Sequence, residues 1–130
     1  MSESKHYIGL MSGTSMDSID AVAINFKKER MECLGSHKHE IPQSIKEQLA
    51  QLCQLNESSM AVYGATDIQM GILFAEAVKS LMSALRLTPE NIMAIGSHGQ
   101  TIRHSPPGGP NIPFSIQIGD PNIIAARTNC

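Results

Sequence analysis

Several features that would assign this chain to a common functional class are scarce or missing. It has no Trp and 4% aromatic residues, so its eight Met predict an aliphatic core and not an aromatic ligand cage. Its three Cys are widely spaced without a C-x-x-C pair, which argues against a disulfide framework or zinc knuckle and favours a reducing cytoplasm. No G-x-x-x-x-G-K-[ST] string occurs, which excludes a P-loop kinase.

Charge and hydropathy exclude further classes of partner. The net charge is −2 and Lys and Arg form no basic stripe, so neither nucleic acid nor an anionic membrane is expected as a partner. No apolar run reaches the ~18 residues of a transmembrane helix, and residues 1–7 lack the pattern of a signal peptide. The 130 residues, of which 42% are hydrophobic, predict one globular domain.

What the chain does have is a polar loop between two apolar alternating runs, residues 7–10 and 21–26. This pattern predicts a β-hairpin with a polar tip. Gly13 would let a ligand approach the backbone, while hydroxyl and carboxylate groups could bind phosphate oxygens and a phosphate-bound Mg²⁺. These groups belong to Ser12, Thr14, Ser15, Asp17, Ser18 and Asp20. The alternative interpretation is an ordinary turn, which uses the same residue types.

The string GLMSGTSMDSIDA at residues 9–21 closely resembles the opening signature of the anhydro-N-acetylmuramic acid kinases, members of the sugar kinase, Hsp70 and actin superfamily. In that superfamily the first hairpin binds nucleotide phosphates. Met11 stands where many superfamily members have Asp, which leaves Asp17 and Asp20 as candidates to face Mg²⁺, and Ser18 stands where the family usually has Gly. The resemblance implies that ATP phosphates contact Gly13, Thr14, Ser15, Met16, Asp17, Ser18, Ile19 and Asp20.

The rest of the chain predicts a mixed α/β order. The predicted strands after the hairpin are 31–41, antiparallel to the second hairpin strand, 92–96, parallel to the first hairpin strand, and 114–118, which pairs with 101–104. The predicted helices are a short helix that ends near Cys53, a helix at about 59–87 that is broken near Ala65, and a helix from Pro121 to Arg127 that Asp120 caps. A connector at 56–59 can cap the second of these helices. His37 and His39 would share a strand face and could hold a metal, although a solvated face is the ordinary interpretation.

A second polar cluster, residues 97–101, follows the predicted strand 92–96. Open α/β sheets bind ligands beyond the carboxyl ends of their strands, so this cluster is well placed for binding. Its string GSHGQT and the later string QIGD also resemble the same kinase family. The resemblance implies a sugar site with the candidate residues Ser97, His98, Gln100, Thr101 and Arg127. A histidine bonded only to structure and a surface arginine remain the alternatives for His98 and Arg127.

As a whole, the resemblance implies a ribonuclease-H-like mixed sheet of three antiparallel strands, helices and then a parallel strand. This sheet would be the incomplete N-terminal lobe, residues 1–130, of a two-lobe sugar-kinase/actin-like fold. The implied enzyme uses ATP and Mg²⁺ to open 1,6-anhydro-N-acetylmuramic acid hydrolytically and phosphorylate it to N-acetylmuramic acid 6-phosphate in peptidoglycan recycling.

No catalytic residue is expected within the chain, because the family's general base belongs to a D-F-R-x-x-D element that should follow Cys130. The 130-residue chain is therefore expected to be inactive alone, and an unpaired sheet edge could support a homodimer. Two other functions remain open: a nucleotide-binding actin/Hsp70-like module without sugar kinase activity, and a non-catalytic interaction domain.

Overall fold

A computed structural model describes residues 5–54 and 57–130. Residues 1–4 of the segment 1–7, for which no signal peptide is predicted, lie outside the described residues, as does Asn56 of the predicted capping connector. The elements are β1 (His6–Ser12), β2 (Ser18–Lys27), β3 (Arg30–Glu40), α1 (Gln43–Gln54), α2 (Met60–Leu85), a 3-10 turn (Pro89–Asn91), β4 (Ile92–Ser105), β5 (Phe114–Ile118) and α3 (Pro121–Thr128). They follow the predicted order.

The five strands form one mixed sheet in the order β3-β2-β1-β4-β5. β1 and β4 are parallel, whereas the other three neighbouring pairs are antiparallel. The predicted ribonuclease-H-like class, with three antiparallel strands, helices and a returning parallel strand, is therefore confirmed.

Alternation along β1 and β2 places their apolar side chains under the helices. Ile8, Leu10 and Ile19 are buried in one core cluster with Phe74 and Val78 of α2. Burial of such side chains stabilises the fold by roughly 1.5–3 kcal/mol each. The core therefore fixes the register of the hairpin, because a slip by one residue would move its apolar side chains to the opposite face.

Helix α2 is a single helix, so the predicted break near Ala65 is wrong. Gly71 is tolerated inside it because α3 packs closely there: a Cβ on Gly71 would lie 3.0 Å from the carbonyl oxygen of Asp120. The Ser59 hydroxyl caps the helix by accepting from the N–H of Ala61 at 3.2 Å. The helix ends at Leu85 through the left-handed Arg86, close to the predicted end near residue 87.

By length and composition alone, α2 could cross a membrane, although the sequence has no unbroken apolar run of ~18 residues. A core helix of a soluble protein passes the same test, and half of the apolar window of α2 is buried within the chain. Its residues Phe74, Ala77 and Val78 have less than 1% of their surface exposed. Packing against the sheet therefore accounts for the apolar composition of this helix.

Strand β4 does not end at Gly96, as the sequence predicted, but continues to Ser105. Leu10 of β1 pairs with Ser97 and Ser12 pairs with Gln100, so three residue steps of β4 match two of β1. Gly99 adopts a φ of +74° within this bulge. The bulge lets the strand continue and pair with β5, so residues 97–101 lie within the strand and not beyond it.

Candidate functional site

The tip of the β1–β2 hairpin is a tight turn over residues 13–17. The N–H of Met16 donates to the carbonyl oxygen of Gly13 at 3.1 Å, and Met16 adopts a left-handed φ of +55°. Ser18, where the sequence resemblance implies Gly, begins β2 and is not among the described residues of positive φ. The serine at this position therefore costs no backbone strain.

The turn is open to a ligand. No heavy atom lies within 4 Å of the position of a Cβ on Gly13, and Thr14, Ser15 and Asp17 of the turn are exposed, as is Asp20 in the adjoining part of β2. These hydroxyl and carboxylate oxygens are hard donors of the kind that Mg²⁺ binds. Among the described residues no group of three His, Cys, Asp and Glu could hold a metal, so ligand phosphate or water would have to complete the coordination.

Gln100 joins the two predicted parts of the site. Its side chain is fully buried. The Oε1 atom accepts from the hydroxyl of Ser12 at 2.5 Å, and Nε2 donates to the carbonyl oxygens of Gly13 at 3.3 Å and Thr101 at 3.1 Å. The bulge of β4 is therefore bonded through one side chain to the tip of the hairpin. Because these contacts occupy its amide, Gln100 positions the loop and does not face solvent.

The other residues of the 97–101 cluster point in different directions. Ser97 lines a cavity of about 160 Å³ with Ile95 and α3. His98 is exposed, with Nδ1 3.3 Å from the carbonyl oxygen of Gly99. The Thr101 hydroxyl accepts from Nε2 of Gln117 at 3.2 Å. The cluster therefore presents His98 to solvent beside the bulge, while Ser97 lies towards α3.

Arg127 does not join this group. It lines a cavity of about 370 Å³ with Leu87 and Pro89, which lead into the first residue of β4. The hairpin tip, by contrast, lies at the other end of the parallel pair, where Ser12 meets Gln100. The structure thus separates Arg127 from the residues that the sequence grouped with it.

Lys46 is a charged neighbour of the loop that sequence patterns did not reveal. Its Nζ atom lies 3.6 Å from Oδ1 of Asp17. The predicted antiparallel pairing of β3 with β2 was an indirect sequence signal for this contact. Because the last residue of β3, Glu40, pairs with Ser18, the chain enters α1 beside the hairpin tip. The N–H of Ile41 accordingly donates to the carbonyl oxygen of Asp17 at 3.1 Å.

His37 and His39 are half-buried on the α2 side of β3, so a solvated strand face does not describe them. His37 Nε2 lies 3.4 Å from His39 Nδ1, and His39 Nε2 lies 3.4 Å from Oε2 of Glu76. The predicted metal site gains no support, since no three-residue metal group occurs among the described residues. The contacts instead connect the edge strand β3 with α2.

Cys53 lies beneath the loop, with its Sγ atom 4.0 Å from Sδ of Met16. Burial raises the pKa of this thiol, and the charge of Arg103 offsets only part of the effect.

Because the thiolate is the nucleophile, iodoacetamide should alkylate Cys53 at pH 8 at least about fivefold more slowly than the exposed Cys33 and Cys130. Mass spectrometry of timed samples measures the three rates. Equal rates in the folded chain would contradict the prediction, and equal rates in urea are its control.

Comparisons with known proteins agree with these motifs. A family model described as anhydro-N-acetylmuramic acid kinase matches residues 5–130. The chain is 44% identical over 129 residues to a protein of that name from Shewanella frigidimarina, covering 99% of this chain and 34% of the relative. It is 45% identical over 126 residues to one from Shewanella loihica, covering 96% of this chain and 34% of the relative. It is 44% identical over 124 residues to one from Coxiella burnetii, covering 95% of this chain and 32% of the relative. The chain thus spans about a third of the length of these curated relatives.

Proposed function

Because the chain belongs to the anhydro-N-acetylmuramic acid kinase family, we propose that it forms part of an ATP-dependent cytoplasmic kinase acting on 1,6-anhydro-N-acetylmuramic acid. The enzyme opens the 1,6-anhydro bridge hydrolytically and phosphorylates the sugar to N-acetylmuramic acid 6-phosphate, a reaction of peptidoglycan recycling. Residues 1–130 form its N-terminal lobe.

One observation supports this proposal above the others. The hydrogen bond from Gln100 to Gly13, at 3.3 Å, brings the strings GTSMDSID and GSHGQT together at one end of the sheet. Phosphoryl transfer needs the nucleotide tail and its acceptor to meet in one place, since positioning and charge stabilisation supply most of its catalysis.

The proposal gives the described residues distinct roles. Backbone N–H groups and hydroxyls of residues 13–18 donate to the phosphates, because phosphate oxygens accept hydrogen bonds. Asp17 and Asp20 face the Mg²⁺ that accompanies ATP, directly or through water, and the ion would offset phosphate charge. Gln100 positions the loop, and His98 and Thr101 face the sugar. Ser97 lines the cavity beside α3 and has no direct role in this proposal, and the position of Arg127 argues against direct contact between Arg127 and the sugar.

We propose that the general base lies outside the matched third of the family's length. It would accept a proton from the water that attacks the anomeric carbon, while the freed O6 attacks the γ-phosphoryl group. The carboxylates of Asp17, in the turn, and of Asp20, the third residue of β2, would sit at the phosphate side of the reaction and not at the attacking water.

The direct test is an assay of the full-length gene product with [γ-³²P]ATP, Mg²⁺ and the anhydro-sugar. We expect labelled N-acetylmuramic acid 6-phosphate, no product without Mg²⁺, and none from the 130-residue chain alone. ATP binding without any transfer to the sugar would instead support a nucleotide-binding module, and no binding of ATP would support an interaction domain.

A further inference from the structure

The segment from Ile41 to Lys46, which leads into α1, contacts the hairpin tip at two points. The N–H of Ile41, which precedes α1, donates to the carbonyl oxygen of Asp17 at 3.1 Å. Lys46, one turn into α1, places Nζ 3.6 Å from Oδ1 of the same residue. The position of the Lys46 ammonium is therefore coupled to that of the loop through both main chain and side chain.

The loop needs positive charge from elsewhere if it binds a polyphosphate. Residues 13–20 carry the carboxylates of Asp17 and Asp20 and no cation. Each phosphate group would add negative charge beside them, and phosphate sites are built from cations and N–H donors. The amino end of α1 carries partial positive charge and has no acidic residue in its first turn. Lys46 adds a full positive charge at the same place.

The Lys46–Asp17 contact has the character of an interaction that a ligand can replace. The distance of 3.6 Å between Lys46 Nζ and Asp17 Oδ1 is close to the upper limit of about 4 Å for an ion pair. The Asp17 side chain is 71% exposed, whereas that of Lys46 is 32% exposed. Such an exposed pair contributes little to folding. The lysine therefore lies close to the loop, and its ammonium loses little interaction free energy when it exchanges a carboxylate oxygen for a neighbouring phosphate oxygen.

We propose that Lys46 is a phosphate-binding residue of this site: its ammonium pairs with Asp17 in the free chain and donates to phosphate oxygens of a bound polyphosphate. The inference rests on the proposed function, because it adds a residue to the same phosphate site. It concerns the polyphosphate tail only, so inorganic tripolyphosphate with Mg²⁺ is a sufficient probe.

The test is an NMR titration of the ¹⁵N-labelled chain with magnesium tripolyphosphate, following the amide signals of residues 13–18. Removing one charge-assisted hydrogen bond by Lys46→Met should raise the dissociation constant about tenfold. Lys46→Arg should retain most of the affinity. The matched control is Lys27→Met, at the opposite end of β2 and paired with Glu32, which should bind as the wild type does.

Two readouts separate a binding role from a structural one. The difference between wild type and Lys46→Met should shrink when salt rises from about 20 mM to about 500 mM, because ions screen exposed charges. The urea midpoints of the two ligand-free proteins should coincide. Absence of any wild-type shift in residues 13–18 would overturn the phosphate site itself. Equal wild-type and Lys46→Met affinities would overturn the role of Lys46 alone.

Discussion

Gln100→Leu is expected to lower the free energy of unfolding by about 2–4 kcal/mol, because the substitution leaves buried polar groups without partners. Ser12 is 1% exposed and its hydroxyl would lose its acceptor, and the carbonyl oxygen of Gly13 would lose one of its two donors. Leucine has a similar size, so the effect reports the hydrogen bonds more than a cavity. Urea unfolding followed by circular dichroism measures it.

The matched control is Gln117→Leu on β5. The Gln117 side chain donates to Thr101 and Ser115 at the surface, where water can replace both partners. Its stability should change by no more than about 0.5 kcal/mol. If the two leucine variants unfold at the same urea concentration, Gln100 does not connect the hairpin tip to β4 in the way described.

Gly99→Ala is expected to lower the free energy of unfolding by about 2–5 kcal/mol. Gly99 has a φ of +74°, and a left-handed backbone costs other residues roughly 1–2 kcal/mol. A Cβ there would also lie 2.7 Å from the carbonyl oxygen of Ile118, so backbone must shift, and overpacking costs about 1–3 kcal/mol. The shift would displace the β4 bulge and move Gln100 away from Gly13. Calorimetric unfolding measures the stability, and ¹⁵N NMR signals of residues 13–18 report the displacement.

Gly96→Ala is the control in the same strand. No heavy atom lies within 4 Å of the position of a Cβ on Gly96, and its φ is not in the left-handed region. Alanine there should be neutral or stabilise by about 0.5–1 kcal/mol, because glycine is unfavourable within a strand. A Gly99→Ala protein that is as stable as Gly96→Ala would show that the bulge does not need glycine.

The sequence predicted those parts of the fold that depend on local pattern. Alternation identified the hairpin and β5, and Asp120 followed by Pro121 predicted the start of α3, where the Asp120 carboxylate accepts from the N–H of Asn122. These features depend on residues close in sequence, so a local pattern contains them. The errors in α2 and β4 arose where contacts distant in sequence override local preference.

Gly71 and Gly99 illustrate that limit. Glycine usually interrupts helices and strands, yet Gly71 makes room for α3 and Gly99 makes room for β5. The candidate site shows the same limit, because the motifs identified the loop and the β4 cluster but not how they connect. The roles of Gln100 and Lys46 follow from pairings 87 and 29 residues apart that no periodicity reveals.

The most direct measurement of the central claim is a crystal structure of the full-length gene product with a non-hydrolysable ATP analogue, Mg²⁺ and the anhydro-sugar. We expect phosphate oxygens within hydrogen-bond distance of backbone N–H groups in residues 13–18. We also expect the sugar beside His98 and Thr101 at the same end of the sheet. A nucleotide tail bound elsewhere, or a sugar that contacts neither β4 residue, would contradict it.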